Sequence, residues 1–118
     1  MKFTDLLSGS REGSDKLRDS YKNGHSYGVA VVGGEHLFVR KGFTVYSIAY
    51  KDAERIFRRV RRVQAMMCCD NGELAIEYLV VMADGRELIE VQLPGTKAAR
   101  MLMDELKGTV TGVEFAAP

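Results

Sequence analysis

Cysteine, histidine and proline are scarce in this chain of 118 residues, with two of each. The cysteines, Cys68 and Cys69, are adjacent. Successive residues of a strand point to opposite faces, so the pair is badly placed to bridge or to share a metal. Without a disulfide framework, a reducing compartment is the expected home. Neither histidine, His25 or His36, has a carboxylate or cysteine at ligand spacing. A metal site draws on about four convergent ligands, or three and a water, so no metal and no cofactor is expected. Long apolar runs are missing too, since no stretch approaches the roughly 20 residues that span a bilayer. The opening MKFTDLLSGSREGSDK turns polar by Ser8 and lacks the apolar centre of a signal peptide. A cytoplasmic protein with no transmembrane segment is the expectation.

An excess of charge of one sign is also lacking. Seventeen basic and 16 acidic side chains leave a formal charge of +1, which excludes a whole-domain field able to select a polyanionic partner. Any electrostatic function must be local. Catalytic signatures are equally thin: no serine stands in a strained elbow, and Gly33-Gly34 is followed by Glu35 rather than the lysine of a phosphate loop. Asp104-Glu105 reads as a solvated pair on a helix surface. No catalytic residue is singled out, and a pocket lined by Cys68 or His36 with a second polar group is the feature that would point to an enzyme.

What is present is a chain with 46% apolar and 28% charged residues, a composition that folds into one domain around one core. Residues 1–27 are rich in Ser, Gly, Asp and Lys and read as a polar arm, either mobile or carrying a short helix capped by Ser14 that sets Leu17 and Tyr21 one turn apart. From Gly28 the texture changes. GVAVV, HLFVR and FTVYSIAY are β-branched and aromatic runs separated by Gly33-Gly34 and Lys41-Gly42, which predicts three consecutive strands. Asn71-Gly72 and Asp84-Gly85 predict two further hairpins with type I′ turns, joining 66–69, 74–82 and 87–93. In the middle of these, Leu74, Ile76, Tyr78, Val80 and Met82 share one face, while Leu79 and Val81 make the other apolar at one end. That end is expected to be central or covered on both sides.

Pro94-Gly95 stops the last strand, and TKAARMLMDELKG follows with Ala99, Leu102 and Leu106 in a stripe widened by Ala98 and Met103. This predicts an amphipathic helix ended by Gly108, with an imperfect cap at Thr96. Residues 109–118 read as a tail or an added edge strand. The segment DAERIFRRVRRVQAMM is two-sided: Ile56, Val60, Val63 and Met67 recur at helical spacing, yet the hairpins around it leave a sheet wanting a strand. A strand with a bulge reconciles its broken alternation.

That segment holds the strongest local charge, Arg55, Arg58, Arg59, Arg61 and Arg62 within eight residues. Guanidinium forks bind phosphate and carboxylate bidentately, so these five are the candidate ligand- or partner-binding residues. The competing reading is a solvated edge strand that deters edge pairing, with Glu54, Glu73, Glu77, Glu87 and Glu90 as cross-strand partners. Tyr46, Tyr50 and Phe57 could stack bases beside the arginines, although aromatics on strands ordinarily pack in the core.

The order of elements, carried by GEHLFVRKGFTVYSIAY followed by DAERI and by PGTKAARMLMDELKG as a closing helix, resembles the pleckstrin-homology-like (PH-like) fold, in particular the small bacterial PH-like domains. The resemblance covers residues 28–108 and implies an α+β domain. Its expected form is an antiparallel meander or partly open β-barrel of about six to seven strands, capped by one C-terminal amphipathic helix. It also implies a binding or scaffolding module without catalysis. Phosphoinositide-binding members place basic residues in the loop joining their first two strands, where this chain has Gly33-Gly34-Glu35. The expected function is a non-catalytic intracellular module that binds a protein partner or self-associates. The alternative is anion binding, to acidic lipid headgroups or, less favoured, nucleic acid, through Arg55 to Arg62.

Overall fold

The computed structural model of the chain describes residues 1–64 and 73–118. Among them, nine strands and two helices follow one another: β1 (Phe3–Asp5), β2 (Arg11–Glu12), α1 (Asp15–Asn23), β3 (His25–Tyr27), β4 (Ala30–Val32), β5 (His36–Lys41), β6 (Thr44–Ala49), β7 (Arg55–Gln64), β8 (Glu73–Ala83), β9 (Arg86–Gln92) and α2 (Thr96–Thr109). A 3-10 turn at Tyr50–Asp52 precedes β7. The architecture is α+β, with two sheets and a C-terminal helix and without closure into a barrel. One sheet has six strands in the order β2-β1-β6-β5-β4-β3, and the other has three in the order β7-β8-β9.

The three runs after Gly28 form β4, β5 and β6, an antiparallel meander as expected, and β3 extends it by one strand. Their near-continuous apolarity has a direct cause, because this sheet is covered on both faces. Ala30, Val32, Leu37, Val39 and Ile48 face the main core, which they share with Ile56, Leu79, Val81, Ile89, Val91 and the helix residues Ala99, Leu102, Met103 and Leu106. Val31, Phe38 and Val45 face the other way, into a second cluster with Phe3 and Leu17.

The first 27 residues therefore pack against the sheet and are not a separate arm. Strand β1 runs parallel to β6, pairing Thr4 with Tyr46 and Asp5 with Ser47. Phe3 is fully buried, its ring 5.3 Å from Tyr21 and 5.1 Å from Phe38. Ser14 caps α1 as expected, its Oγ accepting the Leu17 N–H at 3.2 Å. Leu17 and Tyr21, one turn apart, then close the second cluster. The polar composition of the segment hid the anchoring role of Phe3. Residue 28 marks no break in packing either, because β3 already belongs to the sheet at His25.

Strand β7 replaces the bulged strand expected there. Its pairing with β8 runs unbroken from Arg55↔Met82 to Gln64↔Glu73, and the register shift in this sheet falls between Val81 and Met82, opposite β9. The alternation breaks for another reason. Ile56 enters the main core while its neighbour Phe57 is buried on the opposite face, and beyond Arg59 both faces of β7 leave the packed body. Strand β9 pairs with β8 only from Tyr78 to Ala83, so the far ends of β7 and β8 continue as a two-stranded ribbon. There Val60, Val63 and Leu74 are 40%, 40% and 56% exposed. The buried face of β8 is the one carrying Leu79 and Val81, and Val80 behind them is buried as well, as expected for a central strand.

The turn at Asp84-Gly85 has positive φ at both residues, 54° and 72°, the signature of a type I′ hairpin. The Asn71-Gly72 turn and the pair Cys68-Cys69 lie outside the described residues. Helix α2 buries Ala99, Leu102, Met103 and Leu106 as its stripe predicts. It continues through Gly108 to Thr109 because Val110 is buried and its N–H bonds the Leu106 carbonyl at 2.8 Å. Among the described residues no helix is long and apolar enough to cross a membrane.

Candidate interaction site

The five arginines lie on β7 but do not converge. Alternation sets Arg58 and Arg62 on the face that carries Ile56, and Arg55, Arg59 and Arg61 on the other. On the core side Arg58 grips Glu77 with two bonds, Nε to Oε1 at 2.5 Å and Nη2 to Oε2 at 3.0 Å. Thr96, the first residue of α2, donates its hydroxyl to the same carboxylate at 3.0 Å. The Glu77 side chain is 1% exposed and that of Arg58 30%. The Arg58 hydrogen bonds hold Glu77 below the usual carboxylate range against the opposing effect of burial, and Thr96 assists.

On the outer face Arg59 bridges Glu87 and Glu90, both at 2.6 Å, and Arg61 joins Glu90 at 2.7 Å. The Arg59 guanidinium lies 5.6 Å from the centre of the Phe57 ring, and that of Arg61 lies 5.4 Å from Tyr78. The network roofs the buried Phe57 and uses the cation–π attraction as well as charge. Arg59 holds the Glu87 carboxyl below its usual range, and Arg61 with Arg59 does the same for Glu90. Arg55 donates from Nη1 to the Ala116 carbonyl at 2.8 Å. Arg62 is exposed and makes no ion pair among the described residues. Three of the five candidate arginines are thus neutralised by the glutamates that the competing reading named as their partners.

What the arginines conceal is an open backbone edge. The Ile56 N–H points away from β8 to the Glu114 carbonyl at 3.0 Å. Strand alternation then points the backbone groups of Arg58, Val60 and Arg62 outward as well. A cleft of about 400 Å³ runs beside this edge, walled by Phe57, Arg58 and Val60 on β7, by Met103 and Lys107 among the α2 residues, and by Phe115. The α2 side of this cleft has no mark in the sequence beyond the helix itself, because Arg100 and Lys107 simply flank the buried stripe.

A second cleft, of about 420 Å³, lies between α1, the β4–β5 turn and the end of α2, and both histidines line it. Polar partners do accompany His36 there, the pattern that would point to an enzyme. Glu35, however, is turned to Lys16 at 3.3 Å, and Glu105 is engaged by His25 Nδ1 at 2.8 Å and by the Tyr27 hydroxyl at 2.5 Å. Among the described residues no group of three or more His, Cys, Asp or Glu is arranged to hold a metal. Glu105 instead ties α2 to β3. Its hydrogen bond pushes the Tyr27 phenol up to about 12, so Glu105→Gln should return that ionisation toward 10. Ultraviolet difference titration of the tyrosines reads the change, and an unmoved titration curve would count against the contact.

No protein-family model, curated protein or solved structure matches this chain.

Proposed function

We propose that the chain is a non-catalytic, cytoplasmic PH-like interaction module that binds an extended segment of a partner protein along the β7 edge. The four-stranded meander of β3 to β6, the three-stranded meander of β7 to β9 and the helix packed between them support the PH-like reading. Fold alone does not assign a function. The observation that carries this one is the edge of β7 beyond Ile56, unpaired among the described residues, with a cleft alongside it that sets Phe115 and Met103 among the charged groups of Arg58, Arg100, Asp104 and Lys107. Strand addition supplies main-chain hydrogen bonds from such an edge, and the adjoining cleft supplies side-chain selectivity.

Self-association through the same edge is disfavoured by charge. A two-fold axis at Val60 sets Arg58 against Arg62 of a second copy, and like charges directly opposite destabilise strand pairs. Anion binding through Arg55 to Arg62 has less support, because Arg58, Arg59 and Arg61 would each have to leave a glutamate.

Val60→Pro tests the proposal. The substitution removes an outward N–H, and proline is tolerated at edge positions of that kind, so the circular dichroism spectrum and unfolding midpoint should stay near those of the parent. Peptides selected on the parent from a displayed random library should lose about tenfold or more in affinity for the variant. Selected peptides that bind both proteins equally would overturn the edge reading.

A further inference from the structure

The edge of β7 is not empty along its whole length, because the chain's own C-terminal segment sits at its start. Helix α2 ends at the buried Val110, the chain turns at Gly112 with φ of 83°, and Glu114 forms a parallel bridge with Arg55. Three hydrogen bonds hold it: Glu114 N–H to Glu54 O at 3.1 Å, Ile56 N–H to Glu114 O at 3.0 Å, and Arg55 Nη1 to Ala116 O at 2.8 Å. Phe115 is half-buried at the end of the cleft. The attachment is one bridge long, Glu114 and residues 116–118 are exposed with Val113 and Phe115 only partly buried, and a glycine in the left-handed region stands where the segment leaves the helix. Few buried contacts with exposed backbone bonds mark a unit that opens well below the cost of global unfolding.

We infer that residues 113–117 are a displaceable intramolecular occupant of the β7 cleft, holding the place of a partner segment that is extended, carries an aromatic residue where Phe115 sits, and bears carboxylates further along. The inference rests on the edge-binding reading above. The aromatic follows from what the cleft already holds. The carboxylates follow from what the tail leaves unused: Arg100 and Lys107 line the cleft and form no ion pair among the described residues, with Asp104 beside them in the lining and Glu77, already held by Arg58, near enough to Arg100 to feel its charge. A partner that takes both the Ile56 position and the outward groups of Arg58, Val60 and Arg62 makes more main-chain bonds than the tail does. It therefore displaces the tail, and the tail sets the threshold affinity that a partner must exceed.

The test uses the full chain, its Phe115→Ser variant, and a fluorescent peptide with the sequence of residues 111–118 at millimolar concentration, the range of a short tether's effective concentration. The peptide should bind the variant about tenfold more tightly than the parent, and a version with serine for phenylalanine should bind neither. In hydrogen exchange the Ile56 amide of the parent should open far more readily than that of Leu79, and the variant should speed Ile56 alone. Equal peptide binding by parent and variant overturns the inference. So does an Ile56 amide in the parent as slow as that of Leu79, a measurement that decides the matter even where the variant folds poorly. Val60→Pro leaves the tail's contacts at Arg55 and Ile56 untouched, so failure of the edge reading shows there and failure of the gating shows here.

Discussion

Phe3→Ala is expected to lower the stability of the fold by about 3–5 kcal/mol, the range for emptying a large aromatic site in a core. The ring is fully buried and meets Tyr21 and Phe38 in tilted contacts, with Phe38 and Tyr21 5.2 Å apart in an edge-on pair. Such pairs add to simple area burial. Phe3 is also the side chain that fixes β1 against β6, so its loss leaves Leu17 and Val45 under a cavity that the short β1 and β2 strands cannot fill. Urea unfolding followed by circular dichroism measures the change. A residue on a mobile arm would move the midpoint by almost nothing, which makes this substitution a direct reading of whether the first 27 residues belong to the domain.

Arg58→Ala should cost about 3 kcal/mol at neutral pH, toward the low end for breaking a buried ion pair because the arginine is 30% exposed. The loss comes mainly from the partner left behind, since Glu77 would keep its charge at 1% exposure with only Thr96 to bond it. Arg62→Ala, four residues along, should change stability by no more than about 0.5 kcal/mol. The sign of the pH dependence follows from the lowered pKa of Glu77. A carboxyl depressed in the native state stabilises it above the unfolded value of about 4.3 and loses that contribution as pH falls through its native pKa. The gap between parent and Arg58→Ala should therefore be widest near pH 7 and narrow below about pH 4. Replacing the pair together, Arg58→Met with Glu77→Leu, should recover most of the loss, because an apolar pair of similar volume avoids the desolvation penalty. A gap that stays constant with pH would mean that Arg58 acts through packing alone.

The parts of the fold that were legible in the sequence are those whose signals are local. Asp84-Gly85 names its own turn through the positive φ it requires, and Ala99, Leu102 and Leu106 announce the buried face of α2 by spacing. Phe3 was not legible, because one apolar residue in a polar segment has no period, and its partners Tyr21 and Phe38 come from different elements. The segment from Asp52 to Gln64 misled for a related reason. Ile56 and Phe57 are buried on opposite faces, Arg58 and Arg59 are part-buried beside them, and residues 60–63 are exposed on both faces, a pattern that is neither amphipathic strand nor helix. Among the arginines, the identities of the glutamate partners were within reach, but the pairing with Glu77 rather than Glu73 depends on the register fixed at Arg58↔Leu79. The cleft was out of reach entirely, since it exists only where α2 and the tail come to lie beside β7.

The parallel pairing of β1 with β6 also has a temporal side. Thr4 finds its partner Tyr46 roughly 40 residues later in the chain, so during synthesis from the N-terminus Phe3 emerges long before the strand that shelters it. At about 5–20 residues per second that interval lasts roughly 2–8 s. Until β6 arrives Phe3, and then Leu17 and Tyr21, form an apolar surface without a complete sheet to cover it, and the strand that fixes β1 in place is the last of the first sheet's strands to be made.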